Sequence, residues 1–445
     1  MDSDVLLRHA EEVSDACVVY ALEGELVEIE ASNGELRKAD SDRVRTYAVR
    51  VLKGGSWGVA SGPDPERHLI ERALRSTGEG SVRIPEDVPA AEGSYRWEGK
   101  LSPLDSLDEA AELSVELSRE VPYDCEITCS AGSVRYTITS TWGSECEARL
   151  DRVNFWVKVS GKGTAGREEY TERDGANCAS IELFLERAEE VRDEAVRRFE
   201  DLLEAEPGPE RAESVITDPE LFGVIVHEAF GHAVEGDLVA RGESVLQDRV
   251  GERVASEIVT VVDDPTERGA FGSYPFDDEG VEPRRTVLVE EGVLRGYLTD
   301  LTSAAELDLE VTGNGRLESI GDHVQVRMSV TYVEPGDASR EELFEEAGDG
   351  AVYLLGSRGG QTDTATGNFQ FSAKLGYVVE DGEPSRPVRD VGLTGETLEF
   401  MKRVRILSDE LRLHPGYCGK GGQLVPVSDG GPHALVDGPF HLRSG

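Results

Sequence analysis

The sequence predicts an α+β fold: mixed α/β N-terminal and middle regions, followed by a β-rich C-terminal domain with one buried helix. Three observations point there. Short β-rich runs broken at Glu23-Gly24, Asn33-Gly34 and Gly54-Gly55 fill residues 18–61, and such pairs are turn formers. Charged segments of helical period recur at 3–16, 65–75, 106–120 and 180–205. From residue 213 the texture changes. An almost wholly apolar helix carrying Leu221, Phe222, Val224, Ile225 and Val226 precedes a series of strand-like runs. A helix apolar all round is buried, and one buried helix in a strand-rich setting is an α+β arrangement.

A chain of 445 residues is long for one core and suits several domains. The expected regions are 1–85, 105–205 and 213–445. The stretch 81–107, rich in Pro, Gly, Ser and acid, reads as a linker, and EAEPGPERAE at 203–212 as a second boundary. The helix after 213 has a clear start: Asp218 is a good N-cap and Pro219 suits the first helical position. Downstream, TVLVEEGVLRGYL reads as a hairpin turning at Glu291-Gly292 and LGYVVEDGEPSRPV as one turning at Asp381-Gly382. VQVRMSVTYVEPG reads as a single strand, and Ser339 to Ala347 as a short helix.

The net charge of −43 argues against nucleic acid as a partner, because phosphate contacts need basic surface. The acids are spread along the whole chain rather than gathered in a tail. Sparse Asn and Gln with abundant charge suit a hot cell interior, and one-sided charge suits a salty one; an acidic partner-binding surface is the other reading. No stretch reaches the roughly 18–20 apolar residues that span a membrane, and the start lacks a signal-peptide pattern. The expectation is a cytoplasmic protein with no membrane association. Its six cysteines are then expected as reduced thiols, with Cys125 and Cys129 buried on one face of a strand.

Chemistry concentrates in the apolar helix, at His227-Glu228-Ala229-Phe230-Gly231-His232. This HExxxH run has one residue more than HExxH. Residues i and i+4 lie about 40° apart around an α-helix, but i and i+5 lie about 140° apart. Both imidazoles reach one metal ion only if the helix is distorted between them. A π-bulge supplies the extra residue, and Gly231 is expected to make it cheap. A glutamate in a buried helix is costly without a purpose. Beside a metal it has one: the ion lowers the pKa of water and the carboxylate takes the proton. A catalytic zinc commonly has three protein ligands and one open position. The third donor lies outside the helix. The candidates are Asp237, Asp248, His323, His414, Cys418 and His433; Cys418, in the glycine-rich HPGYCGKGGQLVPV, stands out by context, with His414 its main rival.

These residues carry a resemblance. HEAFGHAVEGD at 227–237, FDDEGVEPRRTVLVEEGVLRGYLTD at 276–300, TGNGR at 312–316, GGQTDTATGNFQFS at 359–372 and CGKGGQLVPV at 418–427 together resemble the signature of the TldD/PmbA peptidases. The blocks occur in family order and cover most of 213–445. The regions before them match in length and pattern only. The resemblance implies a zinc site on His227, His232 and Cys418, with Glu228 as catalytic base. It also implies a protected chamber for extended or unfolded peptides, and a homodimer or a heterodimer with a metal-free paralogue. Gly359-Gly360 and Thr312-Gly313-Asn314-Gly315 are places where a peptide backbone can approach, or else turn glycines. Glu235 and Asp237 are either partners orienting the histidines or a solvated helix end. The alternative function is a metal-stabilised peptide-binding or assembly protein without turnover.

Overall fold

The computed structural model describes residues 3–163 and 166–442. Strands β1 (Ala16–Ser32), β2 (Glu35–Lys53), β3 (Ser56–Gly62), β4 (Glu92–Trp97), β5 (Asp124–Ser140), β6 (Glu145–Lys162) and β7 (Arg167–Asn177) form one sheet of order β3-β2-β1-β5-β6-β4, with β7 also paired to β6. The stretches read as N-terminal and middle regions therefore feed a single sheet. Asn33-Gly34 joins β1 to β2 with both residues at positive φ, as do Glu291-Gly292 and Asp381-Gly382 in later hairpins; this is the turn whose twist matches that of the strands.

The linker expected at 81–107 is partly a strand. β4 pairs in parallel with β6, and its Tyr95 packs against Phe276, 5.7 Å between ring centroids.

Helices α1 (Ser3–Glu11) and α2 (His68–Ser76) share a small core with β1–β3 through Leu6, Ala10, Leu69 and Ala73. Helix α3 (Leu107–Glu120) packs over β1, β2 and β5, and helix α4 (Ile181–Glu204) over β6 and β7. The apolar stripe of α4, including Phe184, Ala188, Ala195 and Phe199, belongs to a cluster reaching Phe155 below it and Tyr353, Leu375 and Tyr377 of the C-terminal part. Helix α4 thus joins two strand systems.

The C-terminal part holds an eight-stranded sheet, with Arg211–Thr217 and Val352–Asp363 near its centre. It also holds a six-stranded sheet ending in Val330–Val333, Gln423–Gly431 and, at the edge, Arg412–Lys420. Helix α5 (Pro219–Ile225) packs between them, with Leu221, Phe222 and Ile225 buried. Its approach is so close that a Cβ on Gly223 would lie 2.4 Å from the Gly430 nitrogen; only glycine fits there.

VQVRMSVTYVEPG is not one strand. Gln325–Val326 pairs with Gly315–Arg316, while Val330–Val333 joins the six-stranded sheet. The break lets the fully buried Arg327 turn inward, where it donates to the Cys418 and Gln423 carbonyls.

The first sheet is fastened to the C-terminal part by a buried ion pair. Arg50 on β2 donates to Glu279 Oε1 at 2.7 Å, and Glu279, fully buried, also accepts from the Leu301 amide at 2.7 Å. Burial pushes the Glu279 carboxyl up to about 7, against the pull of Arg50. Removing one member of such a pair strands the other charge. Arg50→Leu is expected to destabilise the chain by about 3–5 kcal/mol in urea unfolding; an unchanged midpoint would show that the pair does not fasten the two parts.

Candidate metal centre

Asp218 caps α5 by accepting from the Leu221 amide at 2.8 Å. Beyond Ile225 the helix widens into a π turn over Val226–Gly231, then tightens into a 3₁₀ turn over His232–Val234. The extra residue of the π turn brings two histidines five positions apart onto one side. Their ring centroids lie 5.4 Å apart.

Gly231 has a role other than the one its flexibility suggests. Its φ of −58° and ψ of −47° are ordinary helical values. What excludes a side chain is Met328, whose Sδ would lie 2.1 Å from a Cβ at 231.

The third member arrives from far along the chain. Cys418 lies on the edge strand, in register with Val425, and its Sγ lies 3.3 Å from His232 Nε2. Donor atoms of His227, His232 and Cys418 all lie within 4.8 Å of one another, and this is the one such trio among the described residues. The rival donors stand outside this trio: His433 faces the Tyr353 hydroxyl at 3.1 Å, Asp237 accepts from Lys420, His414 lines the cleft beside His227 without joining its donor set, and Asp248 and His323 are likewise not part of it.

In the metal-free protein the three groups are electrostatically coupled. Burial pushes the Cys418 thiol up, but His227 and His232 beside it outweigh burial and hold it well below its ordinary value. His227 is raised to about 9, its burial overcome chiefly by Cys418. A thiolate between two imidazoles is a soft N/S donor set of the kind zinc prefers. His227 Nδ1 is buried without a hydrogen-bond partner. His232 Nδ1, by contrast, faces Glu235 Oε2 at 2.8 Å, which leaves Nε2 for the side of Cys418.

Glu228 is the exposed member of the group, its side chain 39% accessible and Oε2 3.8 Å from His232 Nε2. It opens onto a cleft of about 600 Å³ shared with His227, Ser357, Gly359, His414 and Asp429. Two unpaired strand edges flank this cleft. One is Arg412–Lys420, last in its sheet. The other is Val352–Asp363, which meets Arg211–Thr217 only through residue 354. Gly359 lies on it at φ +91°, with open space where a Cβ would be. Thr312–Gly315 is nowhere near solvent. Asn314 is buried, and its amide donates to Asp263 Oδ2 and the Arg327 carbonyl, so this segment braces the interior and does not receive a peptide.

The chain matches the PmbA/TldA metallopeptidase C-terminal domain over residues 210–439 and the first domain of the same family over 17–77. A metalloprotease of Methanothermobacter thermautotrophicus is 39% identical, covering 91% of this chain and 90% of its own. The chain belongs to the TldD/PmbA family. A metalloprotease of Methanocaldococcus jannaschii is 38% identical, covering 94% and 95% of the two chains. A zinc metalloprotease TldD homolog of Saccharolobus solfataricus is 38% identical over about half of each chain. The fold is also that of TldE from Thermococcus kodakarensis, at a TM-score of 0.77, 18% identity and 99% coverage of both chains. A Thermotoga maritima structure agrees at a TM-score of 0.79 and 21% identity, covering 99% of this chain and 98% of that one. These family and relative names indicate a metallopeptidase with a metal cofactor, zinc being named for the Saccharolobus relative. Among the described residues, no helix is long and apolar enough to cross a membrane.

Sequence reading missed Lys420, Asp429 and the buried Lys374–Glu220 pair, 2.8 Å apart on the cleft wall. Lys420 had a usable signal: two positions from Cys418 on a strand, it must share its face.

Two outcomes follow. Gly231→Ala should destabilise the protein by about 1–3 kcal/mol through overpacking, and should cost less in a Met328→Ala background than in the wild type; an equal cost in both backgrounds on denaturation would mean that Met328 is not the obstacle. Glu235 is held down to about 2, because His232 and Lys420 outweigh the upward push of its burial. A depressed carboxylate stabilises the fold above its unfolded pKa and loses that contribution as pH falls through the native one. In metal-free protein, the stability gap between wild type and Glu235→Gln should be level above the ordinary value of 4.5 and shrink as pH falls toward 2; a pH-independent gap would contradict this.

Proposed function

We propose that this chain is a zinc peptidase of extended or unfolded peptides, with zinc held by His227, His232 and Cys418 and with Glu228 as general base. The observation that carries the reading is the convergence of three N/S donors beside a solvent-facing glutamate, in a cleft bordered by open strand edges. The donor set fits zinc. Ligands about 2.0–2.3 Å from a tetrahedral ion stand about 3.5 Å from each other, close to the 3.3 Å between Cys418 Sγ and His232 Nε2. Three protein donors rather than four is the pattern of a catalytic rather than a structural site, which favours hydrolysis over a metal-stabilised binding protein.

When bound, zinc supplies Lewis acidity toward a carbonyl oxygen and lowers the pKa of water. Glu228 takes the proton of the attacking water and passes it to the departing amine. Main-chain groups of 357–359 and 415–417 offer hydrogen bonds to an extended peptide, which makes binding largely independent of its sequence. The catalytic region corresponds to 213–445, with 1–85 and 105–205 preceding it. We also propose a cytoplasmic location and, on the resemblance, a dimer with itself or with a metal-free paralogue.

Glu228→Gln should retain stoichiometric zinc and lose about 10²–10⁴-fold in peptidase rate on unfolded peptides. Cys418→Ser should lose zinc by elemental analysis. Normal turnover by Glu228→Gln would remove the base from the scheme, and undiminished zinc in Cys418→Ser would remove the third ligand.

A further inference from the structure

Lys420 ends the strand that carries Cys418, just before Gly421-Gly422. A lysine beside a hairpin turn ordinarily points into water. This one turns inward, its side chain 12% accessible. Its ammonium donates to Glu235 Oε2 at 3.0 Å, to Asp237 Oδ1 at 2.7 Å and to the Val326 carbonyl at 2.9 Å. All three of its protons are engaged. Glu235 Oε2 is the same oxygen that faces His232 Nδ1 at 2.8 Å. A continuous line of contacts therefore runs from the strand of Cys418, through the ammonium and one carboxylate oxygen, to the imidazole on the helix. Cys418 and His232 are 186 residues apart in sequence, and this line ties their two segments together. Glu235 is fully buried and its Oε1 has no hydrogen-bond partner. Without the ammonium beside it, the buried carboxylate loses the contact that holds Oε2 in place. A displaced Oε2 no longer sets which His232 nitrogen points at Cys418.

We propose that Lys420 is a positioning residue of the metal centre: it fixes Glu235, and through it the His232 imidazole, so that Nε2 is presented beside Cys418. The inference rests on the zinc reading above. Lys420 touches none of the proposed reacting groups, and its effect passes through Glu235.

The test uses the full-length chain, stripped of metal and titrated with Zn²⁺ against a chromophoric chelator, with Co²⁺ absorption as a second readout. Lys420→Met should bind Zn²⁺ about 10–100-fold more weakly and shift the Co²⁺ ligand-field bands. Glu235→Gln should do the same, and the double variant should be no weaker than the weaker single one, because the two residues act in series. Equal Zn²⁺ affinity in wild type and Lys420→Met overturns the inference while leaving the zinc reading standing; fully additive losses in the double variant overturn it as well. Wild-type protein that binds no Zn²⁺ overturns both. If Lys420→Met fails to fold, Glu235→Asp decides the matter. It keeps a charge for Lys420 but withdraws the carboxylate from His232, and wild-type affinity in that variant overturns the inference.

Discussion

Five positions separate His227 from His232, and a regular α-helix turns them to different sides. The requirement that both imidazoles face one point governs much of the C-terminal part. It calls for a π turn, which is rare and occurs mostly as a single turn inside an α-helix, and the surrounding packing supports it. That support is the packing of α5 between two sheets, the backbone contact of Gly223 with Gly430 and the fit of Met328 over Gly231. The apolar first half of the helix is the means by which a rare local geometry is held in place.

A second constraint is electrostatic. A chain with a net charge of −43 nevertheless places cations at chosen points inside: Arg50 against Glu279, Lys374 against Glu220 and Lys420 between Glu235 and Asp237. Each lies where elements distant in sequence meet. Buried ion pairs add little net stability, but they penalise wrong arrangements heavily. Here they define how the first sheet, α5 and the last hairpin fit together.

Much of this was legible in the sequence. The periodic helices, the Asn-Gly and Asp-Gly turns and the apolar helix from Asp218 follow from local rules, and the five-residue spacing required a π turn between the histidines. Cys418 was different. Spacing left it one donor among several, and the family pattern singled it out, because the pairing of a late strand with an early helix is a tertiary fact that no local window contains. The same reason explains why β4 passed for a linker and why 325–333 passed for one strand: their contacts are with Phe276 and with the Cys418 carbonyl, both far away. For Gly231 the outcome was foreseen on the wrong cause. Glycine was expected for its freedom, and the structure requires it for its lack of volume.

The distance along the chain between the paired histidines and Cys418 also bears on timing. Protein synthesis proceeds from the N-terminus, so α5 and its imidazoles emerge from the ribosome well before the strand with the thiol does. The strand Ala434–His441, which pairs with the stretch leading into α5, comes later still. A growing or truncated chain therefore holds two of the three donors but lacks the sulfur. On the proposed reading, competence arrives only when the last hairpin docks, so an incomplete molecule would carry no assembled centre with which to attack its neighbours.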